Sequence, residues 1–210
     1  MLLALPVLAG KHLELETLMD AGAQLGSDVP FFLVGGTAMG IGRGTELFEL
    51  PDLRPQLLVL ACPGVHVSTA EAYAALGRGL TVTESSSKMN SFRAYVRLLG
   101  EVRSASAASS LSVNDFEAAV FEQHPRLRVL PGRLKRLGAL SAAMTGSGST
   151  VFGLFDSREH MDRAARLTPG AVAGELVSRR SYRALWRRQL QEHLKSQGTE
   201  WPPHSRYAQT

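Results

Sequence analysis

The chain has 210 residues, 44% of them hydrophobic and 20% charged, with 20 Gly, 10 Pro and one Cys. That balance belongs to an ordinary folded chain of one or two domains and excludes intrinsic disorder, a collagen-like repeat and a disulfide scaffold. The formal charge of +4 belongs to the end of the chain: residues 178–210 hold seven Lys/Arg against two acids, net +5, and residues 1–177 hold sixteen against seventeen, net −1.

A near-neutral body argues against a general nucleic-acid surface, so no nucleic-acid partner is expected, and any polyanion would have to engage the tail. The single thiol, Cys62, has no CxxC partner, which excludes a zinc finger or ribbon and fits a reducing, cytoplasmic compartment. None of the six His stands at ligand spacing from another metal-binding side chain, so no metal site is expected from spacing.

In chain order, residues 1–10, MLLALPVLAG, are apolar but lack a basic leading region, and Pro6 interrupts a run too short to cross a bilayer. Neither an export signal nor a membrane contact is expected. Residues 13–25 place Leu13, Leu15, Leu18, Met19 and Leu25 near helical spacing, and Gly26 ends the helix. The next stretch, DVPFFLVGGTAMGIGRGTELFEL, reads as two extended segments around a glycine-rich centre, with Gly40, Gly42 and Gly44 on one strand face. Either something packs close to that backbone, or the glycines only permit the twist and bulges of a hairpin.

Pro51 and Pro55 bracket a turn, and QLLVLACPG then reads as a buried strand opening a second domain. Ser68 and Glu71 form a capping box at the start of the helix STAEAYAAL. A serine-rich stretch with a helical segment, SFRAYVRLLGEV, fills much of residues 80–112. A helix begins near Asn114, with Asn114 and Glu117 in a second cap pattern and Pro125 at its end, and an amphipathic helix follows over 126–138. LSAAMTGSGSTVFGLF then reads as strand, Gly/Ser turn and strand, and residues 157–167 as a helix. The expected class is α+β, with helices on one face of a mainly antiparallel sheet. The tail puts Trp186, Leu190 and Leu194 on one helical stripe among arginines, which suits an amphipathic element packed back on the body better than a basic RNA- or acid-binding module.

Two places could carry chemistry. Asp28 lies between a helix-ending Gly-Ser and apolar PFFL, where burial could tune a carboxylate for proton work; a turn or cap aspartate is the plainer reading. In TGSGST, residues 145–150, Gly146, Ser147, Gly148 and Ser149 are small enough for backbone N–H groups to converge on an anion, and a tight β-turn is the plainer reading there. No Lys follows these glycines, so this is not a Walker A loop, and no GxSxG elbow occurs.

Taken together, QLGSDVPFFLVGGTAMGIGRG (24–44), LVLACPGVHVSTAEAYAAL (58–76), NDFEAAVF (114–121) and AAMTGSGSTVFGLF (142–155) resemble, in order, the 4-diphosphocytidyl-2-C-methyl-D-erythritol kinase family of the GHMP kinase superfamily. The resemblance implies the two-domain GHMP fold, with residues 1–56 as the end of an N-terminal S5-like domain and 57–177 as a ferredoxin-like α/β sandwich; residues 178–210, which it matches weakly, read from composition as a basic tail packed back on the body or partly disordered. The resemblance implies a small-molecule partner, with phosphoryl transfer from ATP, together with Mg2+, to the 2-hydroxyl of a cytidine diphosphate-linked methylerythritol. Asp28 falls on the family's catalytic aspartate, the TGSGST loop would lie beside the phosphates, and Ser68 and Thr69 match the family's VST position on the substrate side. It also implies a segment preceding this sequence, on the order of a hundred residues, with a Lys in a PxKxN-like context and a Gly/Ser-rich phosphate loop. Two other readings stand beside this one: a catalytically incomplete remnant that binds a ligand or partner, and a GHMP kinase acting on a different alcohol.

Overall fold

The computed structural model describes residues 1–52, 55–75, 114–195 and 199–208. The expected helix in SFRAYVRLLGEV lies outside the described residues. The chain divides into two compact units, Met1–Asp52 with Val177–Thr210, and Leu53–Leu176.

The first unit opens with helix α1, Ala4–Leu8, and helix α2, Leu15–Leu25, whose final turn ends at Gly26 with its N–H bonded to Gly22 O. Leu18 is buried on α2, but Leu13 precedes the helix and Leu25 is exposed at its end. Helix α3, Val29–Val34, replaces the extended segment expected of VPFFLV. The apolar run is too short for its period to decide, and Pro30, in the first turn, fixes a helical φ where no N–H is needed. Pro30, Leu33 and Val34 then fall on one face and are buried, and Phe32 turns outward.

Strands β1, Ala38–Ile41, and β2, Glu46–Glu49, form the expected hairpin, Ala38 opposite Glu49 and Ile41 opposite Glu46. Gly42 and Gly44 are in the turn, not on a strand face, both at positive φ, and a Cβ at Gly44 would meet nothing within 4 Å. Gly42 and Gly44 supply the turn's left-handed conformations, and at Gly40 a Cβ would come within 3.0 Å of Gly44 O, so what packs close to the strand backbone is the hairpin's own turn. Helix α8, Arg179–Gln189, returns to this unit, capped by Ser178 Oγ accepting from Ser181 N, and is followed by a short 3₁₀ turn at Gln191–His193. Leu3, Leu18 and Leu33 form the unit's buried cluster, with Trp186 and Trp201 packed against it.

The second unit is built on an antiparallel sheet in the order β4-β5-β3-β6: β3 is Leu57–Ala61, β4 Ser141–Met144, β5 Val151–Phe155 and β6 Ala171–Glu175. The register aligns Val59 with Gly153 and Ala142, and Ala61 with Val151 and Met144, so one face carries two rows of small and apolar side chains. Against that face pack helices α5, Phe116–Gln123, α6, Pro125–Arg136, and α7, Arg158–Leu167, with α4, Thr69–Ala75, beside them, and Leu127, Leu134, Met161 and Ala164 complete the core. A Cβ on Gly153 would come within 3.2 Å of Leu134 Cδ1, so the missing side chain is what lets α6 approach the sheet. The helices-on-one-face α+β expectation holds. Strand β6 had no sequence signal: AVAGE is an edge strand with four of its five residues exposed, so neither a buried apolar run nor strict alternation marks it.

Candidate functional site

In the first unit, Asp28 is the residue before α3 and is exposed. The burial expected of it is absent: α3 sinks Pro30, Leu33 and Val34 and leaves Asp28 at the open end. Its carboxylate makes no side-chain cap bond and has no hydrogen-bond partner among the described residues.

In the second unit, TGSGST is the turn between β4 and β5. Thr145 N donates to Thr150 O at 2.9 Å and Gly148 N to Thr145 O at 3.1 Å. Gly146 and Gly148 have φ +56 and +93, conformations that a side chain would strain. Among the described residues, the N–H groups of Gly146, Ser147 and Ser149 have no hydrogen-bond partner. The tight-turn reading holds, and the turn leaves these three N–H donors unpaired among the described residues.

The structure brings part of the expected substrate-side pair to this loop. Ser68 caps α4, its Oγ accepting from Glu71 N at 3.3 Å. Thr69 Oγ1 lies 3.0 Å from Ser147 Oγ, so the VST segment and the loop meet hydroxyl to hydroxyl. Ser149 is differently employed: its hydroxyl donates to Val65 O at 2.5 Å and fixes the loop's second half to the chain ahead of α4.

Two residues that the sequence marked only as a helix cap hold the loop's other side. Asn114 lies one residue ahead of the cap position, Asp115; its Oδ1 accepts from Phe116 N at 3.0 Å, and its Nδ2 donates to Met144 O at 2.9 Å and Gly146 O at 3.0 Å. Glu117 does not reach back to complete a capping box; its Oε1 accepts from Met144 N at 2.6 Å. A cap pattern accounts fully for Asn and Glu at this spacing, and only a long-range contact distinguishes a residue that also bonds a loop about thirty positions on.

The GHMP kinases C-terminal family model matches residues 93–166, which include α5, α6, the loop and most of α7. A 4-diphosphocytidyl-2-C-methyl-D-erythritol kinase from Solibacter usitatus is 50% identical over 98% of this chain and 64% of its own length. The chain belongs to the GHMP kinase superfamily. A second relative of that name, from Gloeobacter violaceus, is 40% identical to this GHMP kinase chain over 83% of it and 58% of the relative. The chain therefore spans somewhat less than two thirds of the curated relatives it matches. Among solved structures, a 4-(cytidine 5'-diphospho)-2C-methyl-D-erythritol kinase matches with a TM-score of 0.61 and 32% identity, over 82% of this chain and 60% of that one. A homoserine kinase from Cytophaga hutchinsonii matches with a TM-score of 0.62 at 18% identity, over 83% of this chain and 61% of that one, a likeness of fold alone.

No helix among the described residues is long and apolar enough to cross a membrane. No group of three or more His, Cys, Asp or Glu is placed to hold a metal ion among those residues either.

Proposed function

We propose that this chain serves a kinase that transfers a phosphoryl group from ATP to the 2-hydroxyl of 4-diphosphocytidyl-2-C-methyl-D-erythritol, a step of isoprenoid synthesis by the non-mevalonate route. The observation that carries the reading is the 50% identity, over nearly the whole chain, to a kinase of that name. The residues suit the parts. Asp28, exposed and without a competing partner among the described residues, is available to accept the acceptor hydroxyl's proton as the new O–P bond forms. The unpaired N–H groups of Gly146, Ser147 and Ser149 would hold phosphate oxygens without reorganising, because the turn and its anchors already fix them. ATP, when bound, supplies the transferred group. The Thr69 and Ser147 hydroxyls, 3.0 Å apart, are placed to bond a polar group together. Magnesium would accompany the nucleotide through its phosphates, and the described residues offer it no carboxylate cluster. The setting is the cytoplasm, where Cys62, a free and exposed thiol, stays reduced.

The test measures ADP release with this acceptor, and with homoserine and mevalonate as rival alcohols, for the native sequence and for Asp28→Asn. Turnover should be confined to the cytidine compound and should fall about 100- to 1,000-fold in the variant, with acceptor affinity by calorimetry changed only a few-fold. Turnover unchanged by Asp28→Asn would remove Asp28 from the chemistry. Equal use of a rival alcohol would sink the substrate assignment.

A further inference from the structure

The tail contains side chains that this reaction leaves unused, and several converge on the helix that follows Asp28. A helix of six residues lies far below the length that is stable alone in water, so its geometry comes from what holds it. Within α3 the ladder ends with Gly35 N donating to Phe31 O at 2.9 Å, which leaves the carbonyls of Phe32, Leu33 and Val34 without a helical donor. Two of these three are taken by the tail: the Tyr182 hydroxyl donates to Phe32 O, and Trp201 Nε1 donates to Leu33 O at 2.8 Å.

The surroundings are shaped for those two side chains. Gly35 has φ +70, and a Cβ there would collide with the Tyr182 ring, so the glycine provides both the chain reversal after α3 and the space Tyr182 occupies. The Arg183 guanidinium sits over the Trp201 ring, 5.3 Å from its centroid. Behind α3, Trp186 and Trp201 pack on the cluster containing Leu33. Just beyond it, Asp52 accepts from Thr37 N at 2.9 Å and from Arg179 N at 2.6 Å, and the Arg179 guanidinium donates to Thr37 O at 2.7 Å. The tail thus grips the C-terminal end of α3 and the segment leading into β1 at the same time.

We infer that the tail is a clamp on α3, and that Tyr182 and Trp201 are positioning residues for Asp28. The helix is about 9 Å long at 1.5 Å per residue, short enough to tilt as one piece, so fixing one end fixes the carboxylate at the other. The inference rests on the reading of Asp28 as the group that meets the acceptor hydroxyl. It gives the aromatic residues of a basic tail a task inside their own unit.

Tyr182→Phe removes only the hydroxyl donor, and Trp201→Phe removes the indole N–H together with part of the ring that packs on the leucine cluster. In the double variant, amide exchange at Leu33–Gly35 should accelerate about 10-fold or more, with exchange in the sheet of the other unit unchanged. Turnover should fall about 5- to 10-fold with the acceptor KM changed less than about 2-fold, the pattern of a misaimed group and not of a lost binding surface. Added to Asp28→Asn, the same two substitutions should lower turnover no further, because they act through that carboxylate. Unchanged exchange at α3, or a fall in turnover that persists in full without the carboxylate, overturns the clamp. If Asp28→Asn itself leaves turnover unchanged, the catalytic reading fails separately, and the exchange rates alone judge whether the tail holds the helix.

Discussion

The TGSGST loop and the helix behind Asp28 are secured in different ways. The loop joins two strands of a four-stranded sheet, and its anchors, Asn114, Glu117 and Val65, come from elements on or beside the same core. That core is extensive, with Val59, Leu127, Leu134 and Val151 fully buried. Helix α3 buries Leu33 against only Leu3 and Leu18 in its cluster and takes its last hydrogen bonds from side chains 150 and 168 positions further along the chain. A turn in a sheet is already constrained by the register of its strands and needs only local pins. A one-and-a-half-turn helix has no such frame, and its aim depends on partners that the chain must bring back from its far end.

The contrast can be tested most severely at Leu134, which has no exposed surface and abuts Gly153. Leu134→Ala should cost about 2–5 kcal/mol, read as a lower denaturation midpoint with the sheet amides of β3 and β5 losing protection first. Gly35→Ala strikes the weaker frame: a left-handed φ and the displacement of Tyr182 together should cost about 1–3 kcal/mol. Its signature is lost protection confined to α3, and equal loss in the sheet of the other unit would contradict the separation drawn here. Asn114→Ala is the mildest, at about 1–2 kcal/mol for bonds to Met144 O and Gly146 O that surrounding water can partly replace. It should loosen the loop and weaken nucleotide affinity a few-fold while leaving α3 exchange as it was. A change at α3 would show that loop and helix do not respond independently.

Much of this was legible from residue pattern, and what escaped did so for identifiable reasons. β3, β4, β5 and the helices over 116–136 and 158–167 stand close to where periodicity and caps set them, because each carries a full apolar face or a strong stop. VPFFLV was misread because four apolar residues after a proline fit a strand or a helix equally, and only the burial of Leu33 and Val34 against neighbours decides between them. β6 escaped because an exposed edge strand needs no apolar face. At the candidate site, Asp28 and the Gly/Ser turn were visible as strings, and the pairing of Thr69 with Ser147 was not, since hydroxyls 78 positions apart share no local signal.

By itself, the sequence determined the α+β class, the neutral body with a basic tail, and the ordered motifs by which the chain resembles the GHMP kinases, because these depend on residue type and on spacings of a few positions. Tertiary structure alone decided that residues 177–210 belong with residues 1–52, that Asn114 and Glu117 serve the loop as well as a helix, and that Tyr182 and Trp201 complete α3. Those are contacts between groups distant along the chain. An orphan carbonyl and a spare donor look ordinary in sequence, and they become partners only when folding excludes the water that would otherwise satisfy both.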